Sequence, residues 1–226
     1  MKNIKHTILV VITLCYVTLG FSQHKRYTIR NGIGIQGGVT QFDLLTDNFK
    51  TKSNTGYLGG LTAWVNIPHK WYNVSYNIQM SENNIDISAR PLASTLDEFV
   101  EYKLLTVQAS FLFHAKLIGN NLTLDAGPMV QYNGELELKD QEKEAYVISG
   151  FNNLLAEDIT DISRFNINGA VGLSAGLGRF SLRGQYIYGF TNILARLNDK
   201  NLNVGSNTSK FKGNQSMLTL TALLIF

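Results

Sequence analysis

Cysteine is almost absent from this 226-residue chain: its single copy, Cys15, lies near the N-terminus. Everything beyond the first two dozen residues is therefore without disulfides or thiolate metal sites. Charge is scarce as well. Charged residues make up 16% of the chain and the formal net charge is +3, too sparse and too balanced to support a nucleic-acid partner. Proline occurs only at positions 68, 91 and 128. The four histidines form no metal-spaced pair, and no Gly-x-Ser-x-Gly motif is present. After the first segment, no apolar run approaches the ~20 residues that a membrane helix needs.

The opening residues 1–23 read as a secretory signal. Lys2 and Lys5 form a basic start, and Ile8 to Leu19 is an apolar run broken only by Thr and Cys15. Gly20 to Gln23 ends it, and cleavage is expected after Ser22 or Gln23. A lipid-attachment site would need a small residue before Cys15, and Leu14 stands there. Residues 24–226 are then one domain.

Glycine, tyrosine and phenylalanine are abundant there, and apolar residues recur with period two. The alternation predicts eight strands, over 27–41, 56–67, 71–80, 99–116, 121–133, 164–177, 180–190 and 215–226. Short connections at 68–70, 117–120 and 178–179 alternate with long ones at 42–55, 81–98, 134–163 and 191–214. This pattern suits an up-and-down transmembrane barrel with short periplasmic turns and long outer loops. The last segment carries an apolar row, Leu218, Leu220, Ala222 and Leu224, and stops on Phe226. Leu122, Leu124, Ala126, Pro128, Val130 and Tyr132 make another such row, opposed by Thr123, Asp125, Gly127, Met129 and Gln131. Val171 and Leu173 oppose Ser174 in the same way. A soluble barrel also alternates, with the apolar rows turned inward. The aromatics favour a bilayer. Tyr57, Phe99, Tyr132, Phe165 and Phe190 fall at the long-loop ends of the strands, and Tyr72, Phe113, Phe180 and Phe226 at the short-turn ends. Pro128 lacks a ladder donor and is expected to sit at a local bulge after Gly127; the competing expectation is a strand break there.

Three segments resemble the PorT-like outer-membrane β-barrel family of Bacteroidota. They are Gly32 to Val39, Leu122 to Pro128, and Phe180 to Ile193, the last with its run Tyr188-Gly189-Phe190-Thr191-Asn192-Ile193. The stretch Tyr102 to Thr106 departs from the family's usual fourth strand. The resemblance implies an eight-stranded outer-membrane barrel and permits a role in a secretion or assembly machine. It implies no activity, because fold does not dictate function.

The residues offer little for catalysis. Of the histidines beyond the signal, His24 is at the start, His69 is in a short turn and His114 is near the inner end of the fourth strand. None suits acid–base work at the outer rim, and no cofactor is expected. Eight strands leave an interior that side chains fill. Gln108, His114, Asp125, Gln131, Arg183 and Gln185 are expected to form a polar cluster there, with Gln36, Thr62 and Trp64 beside them. Asp125 and Arg183 are expected at matching depth, within a charged hydrogen bond or bridged by a group such as Gln185. The acidic loop 134–163 reads as a solvated face, with cation binding as the sharper alternative. Its stretches Ala145 to Ile148 and Phe151 to Leu155 suit a short helix or a partner contact. Loop 191–214 is basic, so the two loops are expected to pack together above the barrel. The expected partners are outer-membrane lipid and envelope or secretion proteins meeting loops 134–163 and 191–214. The leading functional expectation is a non-enzymatic envelope module in the outer membrane. A secretion component and a soluble lipocalin-like binder are the alternatives.

Overall fold

The computed structural model of the protein describes residues 30–92, 94, 96–204 and 210–226; the signal segment and His24 lie outside them. Among the described residues nine strands form: β1 (Arg30–Leu45), β2 (Thr51–Asn66), β3 (Tyr72–Arg90), β4 (Glu98–Ile118), β5 (Leu122–Leu138), β6 (Val147–Ile148), β7 (Phe165–Leu177), β8 (Phe180–Gly189) and β9 (Asn214–Ile225). All but β6 form a closed antiparallel ring, in which each strand pairs with the next and β9 returns to β1. This is the eight-stranded up-and-down barrel. The C-terminus completes it: the Phe226 amide donates to the Ile33 carbonyl at 2.8 Å. One residue with left-handed backbone lets each short connection turn tightly: His69 (φ 61°), Gly119 (φ 53°) and Gly178 (φ 63°).

The outer surface carries a broad apolar belt. Ile35, Leu61, Ile78, Val107, Val130, Val171, Leu173, Leu182 and Leu220 are each 42–62% exposed. In water, each such side chain forgoes about half of the roughly 1.5–3 kcal/mol that full burial gives. Hydrocarbon removes that cost. Tyr57, Tyr132, Phe165 and Phe190 rim the long-loop edge, and Phe180 and Phe226 the other. Trp71 joins the short-turn rim against Tyr72 and Phe113, whose rings stack at 4.4 Å. The soluble lipocalin-like alternative fails on these faces, since a soluble barrel would bury the apolar rows that this one exposes.

Several strands run further than the sequence pattern predicts. β1 and β2 extend to Leu45 and from Thr51, and β3 continues to Arg90. Most of the expected loops 42–55 and 81–98 is therefore strand. The reason is an inversion of faces. Along β3, the inward row reads Asn73, Ser75, Asn77, Gln79, Ser81 and Asn83, then Ile85, Ile87 and Ala89, all buried. The opposite row reads Tyr72, Val74, Tyr76, Ile78 and Met80, then Glu82, Asn84, Asp86 and Ser88. Both rows change character at the same height. β4 changes likewise at Leu104, with Tyr102 and Val100 inward above it, and β1 changes at Phe42 and Leu44. Above the belt, the barrel obeys the rule for water.

That upper barrel is filled by an apolar plug. Loop residues Ile148, Phe151, Leu154, Ile159, Ile162, Ile193, Leu194, Leu197 and Phe211 pack on Phe42, Leu44, Ile85, Ile87, Tyr102 and Leu136. Of the stretches expected to form a helix or meet a partner, Val147, Ile148, Phe151 and Leu154 are thus turned inward, while Ala145, Asn152 and Asn153 stay exposed. Val147 and Ile148 form β6, which pairs with Ala89 and Arg90 of β3. Loops 134–163 and 191–214 do pack together. The Ser163 amide donates to the Ile193 carbonyl at 2.7 Å, and Arg196 and Lys200 both lie 3.3 Å from Asp161.

Pro128 sits at neither a bulge nor a break. β5 is continuous, and its register with β4 is the same on both sides of the gap, Ser110↔Met129 and Phe113↔Ala126. The ladder opens locally where the proline has no donor to give. Its β7 partners are uninterrupted. Gly127 is needed for another reason: a Cβ there would stand 1.9 Å from the Phe111 carbonyl oxygen.

Candidate functional site in the lumen

Below the plug, the inward rows meet in two polar layers. The upper layer is a belt of glutamines. Gln36 Nε2 donates to Gln79 Oε1 (3.0 Å), Gln79 Nε2 to Gln108 Oε1 (2.6 Å), and Gln108 Nε2 to Gln131 Oε1 (2.7 Å). Gln131 also meets Gln215 at 2.7 Å and Asn133 at 2.6 Å, and its Oε1 accepts from Asn168 at 2.8 Å. The primary amide is suited to this role because it both donates and accepts, so a chain of amides can span a barrel without leaving charge behind.

The lower layer is centred on Asp125, which is fully buried. Its Oδ1 lies 2.7 Å from His114 Nδ1 and accepts from Thr123 Oγ1 at 2.6 Å. Its Oδ2 accepts from Ser174 Oγ and lies 3.5 Å from Arg183 Nε. Arg183 Nε donates to Ser174 Oγ at 3.1 Å and Nη1 to Asn77 Oδ1 at 3.4 Å. The group bridging acid and base is therefore Ser174; Gln185, expected there, is buried with its Nε2 unpartnered. On the other side, Ser75 Oγ lies 2.7 Å from His114 Nε2, and Trp64 covers the imidazole at a ring separation of 4.2 Å.

Of the six residues singled out from sequence, Gln108 and Gln131 belong to the upper layer. His114, Asp125 and Arg183 belong to the lower layer, and Gln185 bonds to neither. Ser75, Ser174, Gln79 and Gln215 were missed as members. Their signal was available, since each stands on the inward row of its strand.

Ser75, His114 and Asp125 have the order of a nucleophile, a base and an orienting acid. Their burial removes the chemistry. All three are at 0% exposure, and Ser75 Oγ also accepts from Asn77 Nδ2 at 3.1 Å. No substrate carbonyl can reach that oxygen. The arrangement fixes strand register and neutralises two charges inside the wall.

The two ends of the lumen differ. At the short-turn end, a polar vestibule of about 260 Å³ is lined by Trp64, Asn66, Asn121, Thr123, Ser174 and Arg179, among others. Its inner wall thus includes Thr123 and Ser174, which hold Asp125. At the long-loop end, the apolar plug closes the way. Within loop 134–163, Glu135, Glu137 and Asp161 are matched with bases, and among the described residues no cluster of three metal-ligating side chains occurs. Glu98 raises the Tyr146 phenol above its ordinary range, first by accepting its hydroxyl.

No protein-family model and no curated protein matches the chain. Solved structures do. Neisserial surface protein A (NspA) is similar over 86% of this chain and 97% of its own, with a TM-score of 0.50 and 10% identity. Ail, the attachment invasion locus protein of Yersinia pestis, solved in complex with the heparin analogue sucrose octasulfate, covers 87% of this chain and 99% of its own, with a TM-score of 0.46 and 13% identity. The translocator domain of the autotransporter NalP from Neisseria meningitidis covers 100% and 98%, with a TM-score of 0.35 and 10% identity. The likeness to NspA shows the fold, that of an eight-stranded outer-membrane β-barrel.

Proposed function

We propose that this protein is a non-enzymatic outer-membrane barrel that holds a rigid, loop-capped platform outside the cell. One observation carries the reading: the faces of the strands invert at a common height. Below that height the wall suits lipid, and above it the wall suits water. The protein is thus built to stand well clear of the bilayer. A lumen packed with two polar layers and an apolar plug argues against a pore. Loops 134–163 and 191–214 form the top of the platform and are where envelope or secretion partners would meet it. The test is fractionation with heat-modifiable gel migration, because closed barrels resist detergent until boiled. The mature protein should be recovered in outer membranes and shift on boiling. Recovery in the soluble periplasm would overturn the reading.

The second reading is a component of a secretion or assembly machine. It rests on the PorT-like character of Gly32 to Val39, Leu122 to Pro128 and Phe180 to Ile193. Cross-linking in native membranes separates the two. Stoichiometric capture of envelope machinery favours the second, and recovery of the barrel alone favours the first.

A further inference from the structure

Most basic residues at the long-loop end are matched with acids. Lys103 pairs with Glu137 at 3.1 Å, Lys139 with Glu101 at 2.8 Å, Lys143 with Glu98 at 3.3 Å and Arg164 with Glu135 at 2.5 Å. Lys50, Lys210 and Lys212 are exposed and have no carboxylate partner among the described residues. All three line one crevice of about 760 Å³, together with Asp47, Asn48 and Ser149.

The crevice is braced by packing and hydrogen bonds. Phe49 and Phe151 line it, with Phe211 packed behind them: Phe49 and Phe211 stack at 5.7 Å, and Phe151 lies 6.1 Å from each. Its walls are tied by hydrogen bonds: Thr46 Oγ1 to the Lys212 carbonyl at 2.6 Å, the Lys212 amide to Asn48 Oδ1 at 2.8 Å, and Asn48 Nδ2 to the Lys210 carbonyl at 3.3 Å. The third wall, at Ser149, is held by its amide donating to the Ser88 carbonyl at 3.0 Å. The backbone beneath three lysines is thus fixed before any ligand arrives, which lowers the ordering cost of binding.

We propose that this crevice binds a small soluble polyanion bearing several sulfate or phosphate groups. One exposed ammonium holds an anion weakly, because water screens it. Three around one space select a ligand that presents several anionic oxygens at once. The height selects its source. Val39 pairs with Tyr57 of the aromatic rim, and β1 climbs from there to Leu45 before the turn that carries Lys50. At about 3.3 Å per residue and a tilt of about 40°, the crevice stands roughly 15 Å above the rim. The headgroup layer on each side of a bilayer is only roughly 5–8 Å thick. Phospholipid phosphates therefore lie below the lysines, which favours an anion from solution. The proposal rests on the outward display described above only for the compartment that the crevice meets.

The site is tested with the purified mature protein in zwitterionic detergent, where location plays no part. Isothermal titration should detect binding of a heparin-derived octasaccharide or of inositol hexakisphosphate at about 0.15 M salt. The triple variant K50Q/K210Q/K212Q should weaken it at least tenfold while keeping heat-modifiable migration. K139Q, which removes a matched charge, should leave it within about twofold. Failure of both probes to bind would overturn the site, as would equal binding by the triple variant or an equal loss in K139Q. Repeating the titration in nanodiscs containing lipopolysaccharide tests the source. Unchanged affinity supports a soluble ligand, and loss of binding would assign the crevice to lipid phosphate instead.

Discussion

Asp125 and Arg183 are the two charges sealed inside the wall, and removing one should hurt more than removing both would suggest. Asp125 is at 0% exposure and Arg183 at 2%, with Oδ2 and Nε 3.5 Å apart. At that distance and an effective dielectric of about 20, their attraction is roughly 5 kcal/mol. Asp125→Asn leaves Arg183 with only neutral partners, Ser174 and Asn77. Arg183→Met leaves the carboxylate with Thr123, Ser174 and His114. Each single change is expected to cost about 3–5 kcal/mol, the range for a buried charge left alone. The double variant should cost at least about 2 kcal/mol less than the sum of the singles. Urea titration of the protein refolded in lipid vesicles measures this, and Trp64, whose ring lies 4.2 Å from that of His114, reports the lower layer. A coupling below about 0.5 kcal/mol would show that water, and not the partner, stabilises each charge. The account of the lower layer as a neutralised pair would then be wrong.

Two further outcomes follow from the layered wall. Leu173→Arg, in the apolar belt and 51% exposed, should cost about 2–4 kcal/mol in vesicles if its site lies near mid-bilayer, whereas Thr55→Arg, exposed above the rim, should cost under about 0.5 kcal/mol; similar costs at the two sites would refute the assigned heights. Ile87→Ala, at 0% exposure in the plug, should cost about 2–5 kcal/mol and should speed trypsin cleavage after Lys143 in the loop it supports, while unchanged cleavage would mean that the loop holds itself.

Much of the barrel is legible in the sequence because lipid imposes a simple rule, and the rule is written in each strand. The rows through Leu122 to Tyr132 and Phe165 to Leu177 appear with their faces as expected. The same rule hides the upper barrel. A reader following an apolar outward row stops at Met80, because Glu82, Asn84 and Asp86 look like a loop. The strand goes on, with Ile85 and Ile87 now carrying the apolar row on the other face. After the polar run Ser81 to Asn84 the alternation resumes with its sign changed. The lumen is legible as a composition and not as a network. The inward rows identify Asp125 and Arg183, but Ser174 as the bridge depends on the β7–β8 register, in which Ser174 stands opposite Arg183.

The sign change also explains why the charged loops do not open the barrel. A strand that left the bilayer with a polar inward row would leave a hydrated mouth. Here Phe42, Leu44, Ile85, Ile87, Val100, Tyr102, Leu104 and Leu136 turn inward above the belt, and loops 134–163 and 191–214 supply the apolar residues that fill the space between them. Tyr102 is the one polar side chain in that group, and its hydroxyl donates to the Ala156 carbonyl at 3.0 Å, so no donor is wasted. The loops are therefore structural before they are anything else. Only the residues they leave on the outside, such as Lys210 and Lys212, are available for recognition. A partner that meets this end meets a packed, charge-decorated surface, and its affinity is set by complementarity of charge and shape more than by folding of the loops on contact.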